Sequence, residues 1–568
     1  MFGVQKSDSL LKLSARFGAG ACLCLMLPAI PAHAQTTGRQ ERIQSEQQRL
    51  LNEQFRQQDL QRALQPPPKS TVGTVPKAPV KSSSDCVFIK DISFSGNSKI
   101  TTEDLCNTAK PYLNACLSLP KIDELLRAVS DLYLTAGFVT SKAFLVVPQS
   151  RLKDGVLQIK IVEGKIDRID GLSGTRRATA FPFLTGKVLN LRDIEQGLEQ
   201  INRLPSNHAS MEIVPSNRTD YSAIVITNTP DDRNTLTATA DNAGAESTGD
   251  HRVGVKFARD DAFGLNDALN LGYTKAPSKN SKRRDANYFT AGYSVPVGYW
   301  TLTNNFSYSD YRTAMTLSNG IPFYSFGNSR TNTFALERLM SRGQRYKLSA
   351  QASVTGKSAK NYTEVLDFKT RNDASSRKLT TVAIGLSGTF FRNGGVLYLN
   401  PSYVQGVRWF GALNDKNSGF EQRAQYRAAK LYAYASQSFA YRFSFTSTVD
   451  GQYSKDKLFA SESMFAGGEY SVRGFKNEGM QGDSGVTLRN DLNWKYGFLS
   501  LGAFFDWGMV KSNTRDCPDA TLSGAGVKAA LSTKYIALSA TYAKPLHRPA
   551  PLTENKAWYL SASADFRF

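Results

Sequence analysis

The stretch FAGGEYSVRGFKNEG, Phe465 to Gly479, sets a single arginine among four glycines. Glycine admits left-handed backbone and close approach of neighbouring chain, so such a segment can fold tightly on itself. Arg473 stands between Val472 and Gly474, with Phe475 available to pack. A guanidinium removed from bulk water needs a partner, best a carboxylate that accepts two parallel hydrogen bonds. Downstream, Phe504-Phe505-Asp506-Trp507-Gly508 offers one. In a strand, alternation puts Phe504, Asp506 and Gly508 on one face and Phe505 and Trp507 on the other. An acid among so many aromatics faces water rather than lipid. The chemistry expected is an ion pair, Arg473 with Asp506, pinning a glycine-rich loop inside a hollow.

Catalysis finds little to work with. His208, His251 and His547 lie in separate segments without metal-ligand spacing, and His33 belongs to the N-terminal leader. No G-x-S-x-G, no phosphate-binding glycine loop and no distinctive carboxylate pair occurs. Neither enzymatic activity nor a cofactor or metal is expected. Beyond the leader the cysteines are Cys86, Cys106, Cys116 and Cys517, and their spacing leaves the connectivity open.

The elements that must position Arg473 and Asp506 come from residues 231–568, where helical periodicity disappears. Tyr346, Leu348, Ala350, Ala352 and Val354 alternate with Lys347, Ser349, Gln351 and Ser353. Val382, Ile384, Leu386 and Phe390 share a face. The final segment sets Trp558, Leu560, Ala562, Ala564, Phe566 and Phe568 against Tyr559, Ser561, Ser563, Asp565 and Arg567. Segments of this period, separated by polar turns, mark a transmembrane β-barrel. A soluble sandwich or propeller alternates too. Export, aromatic strand ends such as Tyr299-Trp300 and Tyr308, and the terminal Phe568 favour the barrel. At about 9–11 residues per strand plus turns, the region holds about 16 antiparallel strands, with about 14 or 18 the alternatives. A barrel of that size encloses a water-filled lumen.

Ahead of the barrel the chain changes character several times. Lys6, Lys12 and Arg16 precede the apolar run Ala19 to Ile30 and then Ala32-His33-Ala34, the pattern of a secretory signal over 1–34. Residues 35–65 are nearly all polar helix formers, with a thin stripe of Ile43, Leu50, Leu51, Phe55, Leu60 and Leu64. Such a helix suits a surface or a wet cavity rather than a core. A Pro-rich linker follows over 66–85. Residues 86–163 then read as β-α-α-β-β, with helices over 102–110 and 119–136. The same order recurs over 164–230, with helices near 178–184 and 191–204. Internal duplication is the economical explanation.

The net charge is +21, and removing the leader's three cations and one acid leaves +19. In an exported chain this does not select nucleic acid. Contact with lipopolysaccharide, or the field on a passing polypeptide, accounts for it equally well.

At this point the order of segments and the two short motifs together resemble the transporters of two-partner secretion, the TpsB class of POTRA-bearing polypeptide-transporting barrels. The resemblance rests on V-R-G-F at Val472 to Phe475 and on F-x-D-x-G at Phe504, Asp506 and Gly508. It rests also on Cys116-Leu117 ahead of a helix and on Gly137-Phe138-Val139-Thr140-Ser141 before a strand. It implies a mainly β chain with two small α+β POTRA domains and an N-terminal plug helix. The V-R-G-F loop, about 464–485, would then enter the lumen and meet Asp506 on the inner wall. Cys86 would pair with Cys116, and Phe566 and Phe568 would form an assembly signal for the outer-membrane barrel assembly machinery. The function implied is translocation of an unfolded exoprotein, whether haemolysin, adhesin or contact-dependent toxin, without nucleic acid or cofactor. An insertase for other outer-membrane proteins, or a porin, is the alternative.

Overall fold

The computed structural model describes residues 32–66, 86–278, 283–316, 322–439, 442–513 and 519–568. Most of the leader, nearly all of the Pro-rich linker, and Cys517 lie outside them. The first element, α1 (Ala32–Ala63), is a single helix, about 48 Å long at 1.5 Å per residue.

Two small α/β domains follow. In the first, Asp91–Ser95 runs parallel to Val156–Val162, which pairs antiparallel with Lys142–Leu145. Helices α2 (Thr102–Ala109) and α3 (Leu119–Thr135) pack on this sheet. Leu105, Leu125, Val129 and Tyr133 meet Ile159 and Ile161 in a fully buried core. In the second domain Lys165–Asp170 runs parallel to Tyr221–Thr227, which pairs antiparallel with Ser210–Pro215. Its helices are α4 (Gly174–Ala180) and α5 (Leu191–Asn202). The strand order is the same in both domains. So is the glycine after the opening strand: Gly96 and Gly171 have φ of +85° and +89°. A Cβ on Gly96 would lie 2.3 Å from Ile161 O, and one on Gly171 1.8 Å from Ile226 O.

Three details differ from the sequence-based expectation. Cys86–Ile89 pairs with Ala115–Ser118 in an extra ladder, so the first domain holds more strands than β-α-α-β-β. The opening strand also breaks at Lys90, because Lys90 N and Asp91 N both donate to Gly155 O and bend the chain there. In the second domain α4 begins and ends earlier than 178–184, since Pro182 prevents its continuation. A disulfide joins Cys86 to Cys116 across the extra ladder, and Cys106 is free and exposed.

The rest of the chain is the barrel. Its strands are β1 (Asn234–Asp241), β2 (Arg252–Asp260), β3 (Ala268–Ala276), β4 (Arg284–Val297), β5 (Trp300–Thr316), β6 (Pro322–Arg342), β7 (Tyr346–Val365) and β8 (Arg377–Arg392). They continue as β9 (Gly395–Val407), β10 (Arg427–Phe439), β11 (Phe443–Tyr453), β12 (Ser484–Tyr496), β13 (Leu499–Lys511), β14 (Ala520–Ser532), β15 (Ile536–His547) and β16 (Ala557–Arg567). Each pairs antiparallel with the next, and β16 returns to β1, closing 16 strands into a barrel. Phe368–Arg371 only extends β7 past the end of the barrel wall. The alternation works as the sequence implies. On β5, Trp300 and Leu302 are 41% and 46% exposed on the outside, while Thr301, Thr303, Asn305 and Ser307 line an internal cavity.

The second α/β domain docks on the barrel end where β1 starts, its near end. Gln196 and Gln200 Nε2 donate to Gly298 O at 3.3 and 3.0 Å. Arg203 donates to Ser294 Oγ and Asn266 O, both at 2.7 Å. Glu199 lies between Arg342, 3.0 Å away, and Lys347. The longer loops gather at the opposite, far end.

Candidate functional site: the arginine loop in the lumen

Residues 454–483, between β11 and β12, turn back against the inner wall. A short hairpin, Met464–Ala466 paired with Met480–Gly482, carries the loop tip. Gly467 and Gly468 have φ of +134° and +84°, and this lets Gly468 N reach Phe475 O at 2.7 Å. The tip therefore closes on itself before it meets the wall.

Arg473 is 3% exposed and Asp506 0%. The Arg473 Nε and Nη2 groups donate to the two Asp506 oxygens, each at 2.7 Å, and the Arg473 amide adds a third bond at 3.0 Å. The remaining Nη1 donates to Asp491 Oδ1 at 2.7 Å. The guanidinium also lies 3.6 Å over the Phe504 ring. Val472 and Phe475, both fully buried, pack with Met464, Ala466, Val510, Ala520 and Leu522. A bidentate, desolvated pair of this kind fixes orientation strongly, and removing one partner strands a buried charge at about 3–5 kcal/mol.

The wall has been cleared to admit the loop. A Cβ at Gly508 would fall 2.8 Å from Val472 Cγ2, and one at Gly524 1.9 Å from Arg473 O. Gly526 makes room for Phe504, whose Cζ would be 2.6 Å from an added Cβ.

Two further anchors hold the limbs of the loop. Glu462, 4% exposed, accepts from Lys357 Nζ on β7 and from Tyr426 OH ahead of β10, each at 2.7 Å. On the returning limb Glu478 accepts from Thr553 N and Oγ1 at 2.6 Å and from Glu554 N at 2.9 Å. Burial pushes the Glu478 carboxyl up, but these hydrogen bonds and the nearby Arg42 outweigh it and hold it below the usual carboxylate range. In its neighbour Glu554 burial prevails, and the carboxyl is held above that range.

Helix α1 runs through the lumen beside this loop. Arg49 Nη1 donates to Gly467 O at 2.9 Å and lies 4.1 Å over the Phe465 ring. Arg42 Nη2 reaches Asn477 O at 2.7 Å. Against the wall, Gln40 Nε2 donates to Ser325 Oγ at 2.8 Å, and Gln44 exchanges two amide bonds with Asn361 at 2.9 and 3.0 Å. Glu41 pairs with Arg377, and Arg56 with Asp450. Ile43 and Leu51 supply the apolar part of the contact, against Tyr288 and Tyr311. Between the end of α1 and α5 a cavity of about 460 Å³ remains, most of its lining residues polar in type.

The structure thus brings Val472, Arg473, Gly474 and Phe475 onto the face formed by Phe504, Asp506 and Gly508. It sets Phe566 and Phe568 elsewhere, 57% and 61% exposed, with Phe568 backbone bonded to Asn234 at the barrel seam. Asp491, Glu462 and Arg49 were not singled out from sequence. Asp491 pairs in register with Phe504, so it faces inward, but only the strand register reveals this. Among the described residues no group of three His, Cys, Asp or Glu is placed to hold a metal ion.

Comparison with known proteins gives concordant matches. The family model described as haemolysin secretion/activation protein ShlB/FhaC/HecB matches residues 220–531. A ShlB-type POTRA domain model matches 87–164, and a second POTRA model 166–215. The outer membrane transporter CdiB of Dickeya dadantii is 32% identical, covering 94% of this chain and 96% of that protein. The hemolysin transporter protein ShlB of Serratia marcescens is 29% identical over 75% of each chain. The solved structure of CdiB from Escherichia coli superposes with a TM-score of 0.81 at 30% identity, covering 95% of this chain and all of that one.

Proposed function

The chain belongs to the ShlB/FhaC/HecB family of haemolysin secretion/activation proteins, and from that premise we propose that it carries one exported partner protein across the outer membrane. In this reading 1–34 are the export signal, 35–65 the plug, 66–85 its tether, 86–163 and 164–230 the two POTRA domains, and 231–568 the pore. The POTRA domains stand in the periplasm and receive the partner unfolded. An extended segment can add to a POTRA strand edge or lie against a helix, and neither mode demands a strict sequence.

The observation that carries the proposal is the content of the lumen. Its wall is lined mostly by polar residues, and it is occupied by α1 and by the loop that Arg473 latches to Asp506 and Asp491. Helix α1 meets the wall mainly through hydrogen bonds and ion pairs, a neutral bond worth about 0.5–1.5 kcal/mol net and one to a charged group about 1.5–3, because water competes for the same groups. An occupant held that way can leave for water. Arg473, Asp506 and Asp491 hold the loop while the partner passes, and folding of the partner outside the cell supplies direction.

The partner is a large exoprotein of haemolysin, adhesin or contact-dependent toxin type. Lipopolysaccharide and phospholipid surround the barrel. Phe566 and Phe568 present the assembly signal to the barrel assembly machinery.

Quantitative mass spectrometry of medium, cell surface and outer membrane after deletion of this protein tests the proposal. Loss of one large surface or released protein is expected. A broad loss of outer-membrane barrels would establish an insertase instead, and no loss with all exported proteins expressed would return a porin.

A further inference from the structure

At the near end of the barrel one aromatic side chain is exposed in strained backbone. Phe183 is 87% exposed with φ +58°, a left-handed conformation that disfavours a bulky L-residue. Its neighbours are placed differently. Phe181 is buried against Gly197, and Pro182 packs on the β4–β5 turn, where a Cβ at Gly298 would come within 2.7 Å of the proline Cγ. Gly298 N also donates to Thr179 O at 2.7 Å, fixing the end of α4 to the same turn. Phe183 is one residue beyond this contact, a Cα step of about 3.8 Å.

That turn lies at the edge of the barrel's apolar belt. Val297 and Trp300 flank it, 47% and 41% exposed on the outer face. Arg338 sits 5.1 Å over the Trp300 ring, an aromatic–cation pairing suited to a membrane interface. In the preceding turn Phe263 is 68% exposed and packs edge-on to Tyr293 at 5.8 Å. Tyr293 shares its strand face with Val297. The same α/β domain grips this turn too, through Thr175 Oγ1 to Gly264 O at 3.0 Å. Exposed Lys187 follows within the Phe183 loop.

We propose that this edge of the second POTRA domain is a membrane contact, in which Phe183 enters the interfacial zone of the periplasmic leaflet beside Val297, Trp300 and Phe263. Its partner is a phospholipid surface: the ring meets acyl chain and glycerol, and Lys187 meets phosphate. The domain is then held by the barrel and by the bilayer together, which keeps α5 under the lumen. The inference rests on the barrel lying in a membrane, not on what passes through it.

The test uses the full-length protein in phosphatidylethanolamine–phosphatidylglycerol vesicles. Phe183 is replaced by p-benzoylphenylalanine, which keeps an aromatic at the site, and photo-adducts are identified by mass spectrometry. Leu386, lipid-facing and 61% exposed, and Phe144, 49% exposed on the first domain, are replaced likewise as controls. Phospholipid adducts at 183 and 386 but not at 144 are expected. Adducts at 386 with none at 183, or a polypeptide adduct at 183, would overturn the membrane contact alone. Failure at both 183 and 386 would overturn it together with the outer-membrane reading.

Discussion

All three side-chain nitrogens of Arg473 and its backbone amide donate to Asp506 or Asp491, so the loop it carries has one docked orientation. Arg473→Ala strands the buried Asp506 and costs about 3–5 kcal/mol of docking, at least about a hundredfold in the docking equilibrium constant. Secretion should fall to background while the barrel still runs as a heat-modifiable band. Arg473→Lys should not restore it, because an ammonium cannot bridge Asp506 bidentately and reach Asp491 as well. Gly524→Ala should cause a comparable secretion defect without touching any charge, since its Cβ would lie 1.9 Å from Arg473 O. Normal secretion by that variant would show that the loop need not seat against β14. Asp506 was legible because strand alternation alone sets its face. Asp491 and Gly524 were not, because their proximity to Arg473 depends on the register of β12 to β13 and β13 to β14.

At the scale of elements, the polar helix was legible for a physical reason: a helix lacking a wide apolar face has no place in a core. What the sequence could not supply were its partners, such as Gln44 with Asn361 or Arg49 with the loop tip. Deletion of 40–64 removes these contacts and opens the lumen. Ion conductance in planar bilayers should rise several-fold with secretion retained, and unchanged conductance would contradict the plug. In the first domain Val87 to Ile89 was readable as strand, but its partner Ala115–Ser118 escaped prediction, because a four-residue strand just ahead of a helix carries too little periodicity to read.

Across the whole molecule, Lys347 joins three parts. From β7 its Nζ reaches Glu199 of α5 and Gln65 O just beyond α1, the latter at 2.7 Å. POTRA docking and the seating of α1 therefore share one cation. Burial and then repulsion from Arg62 of α1 push the nearby Arg203 guanidinium down, so the docked arrangement also contains an unfavourable contact. Lys347→Ala and Glu199→Ala should each raise conductance, and the double variant should raise it by less than the product of the two effects. Independent effects would mean that the domain and the plug are not coupled through this residue. The barrel and the repeated domains were readable from periodicity; their mutual docking was not, because single groups on one turn, the Gly298 backbone and the Tyr299 hydroxyl, help create it.

Passage of the partner through this lumen can be tested directly. A partner stalled in transit by a stably folded C-terminal fusion can be probed with photo-crosslinkers placed one at a time at lumenal Thr333, Gln351 and Ser353 and at lipid-facing Leu386. Adducts to the partner from the three lumenal positions and none from Leu386 are the predicted result. Adducts confined to the POTRA domains, with the lumenal positions unreacted while secretion proceeds, would contradict it.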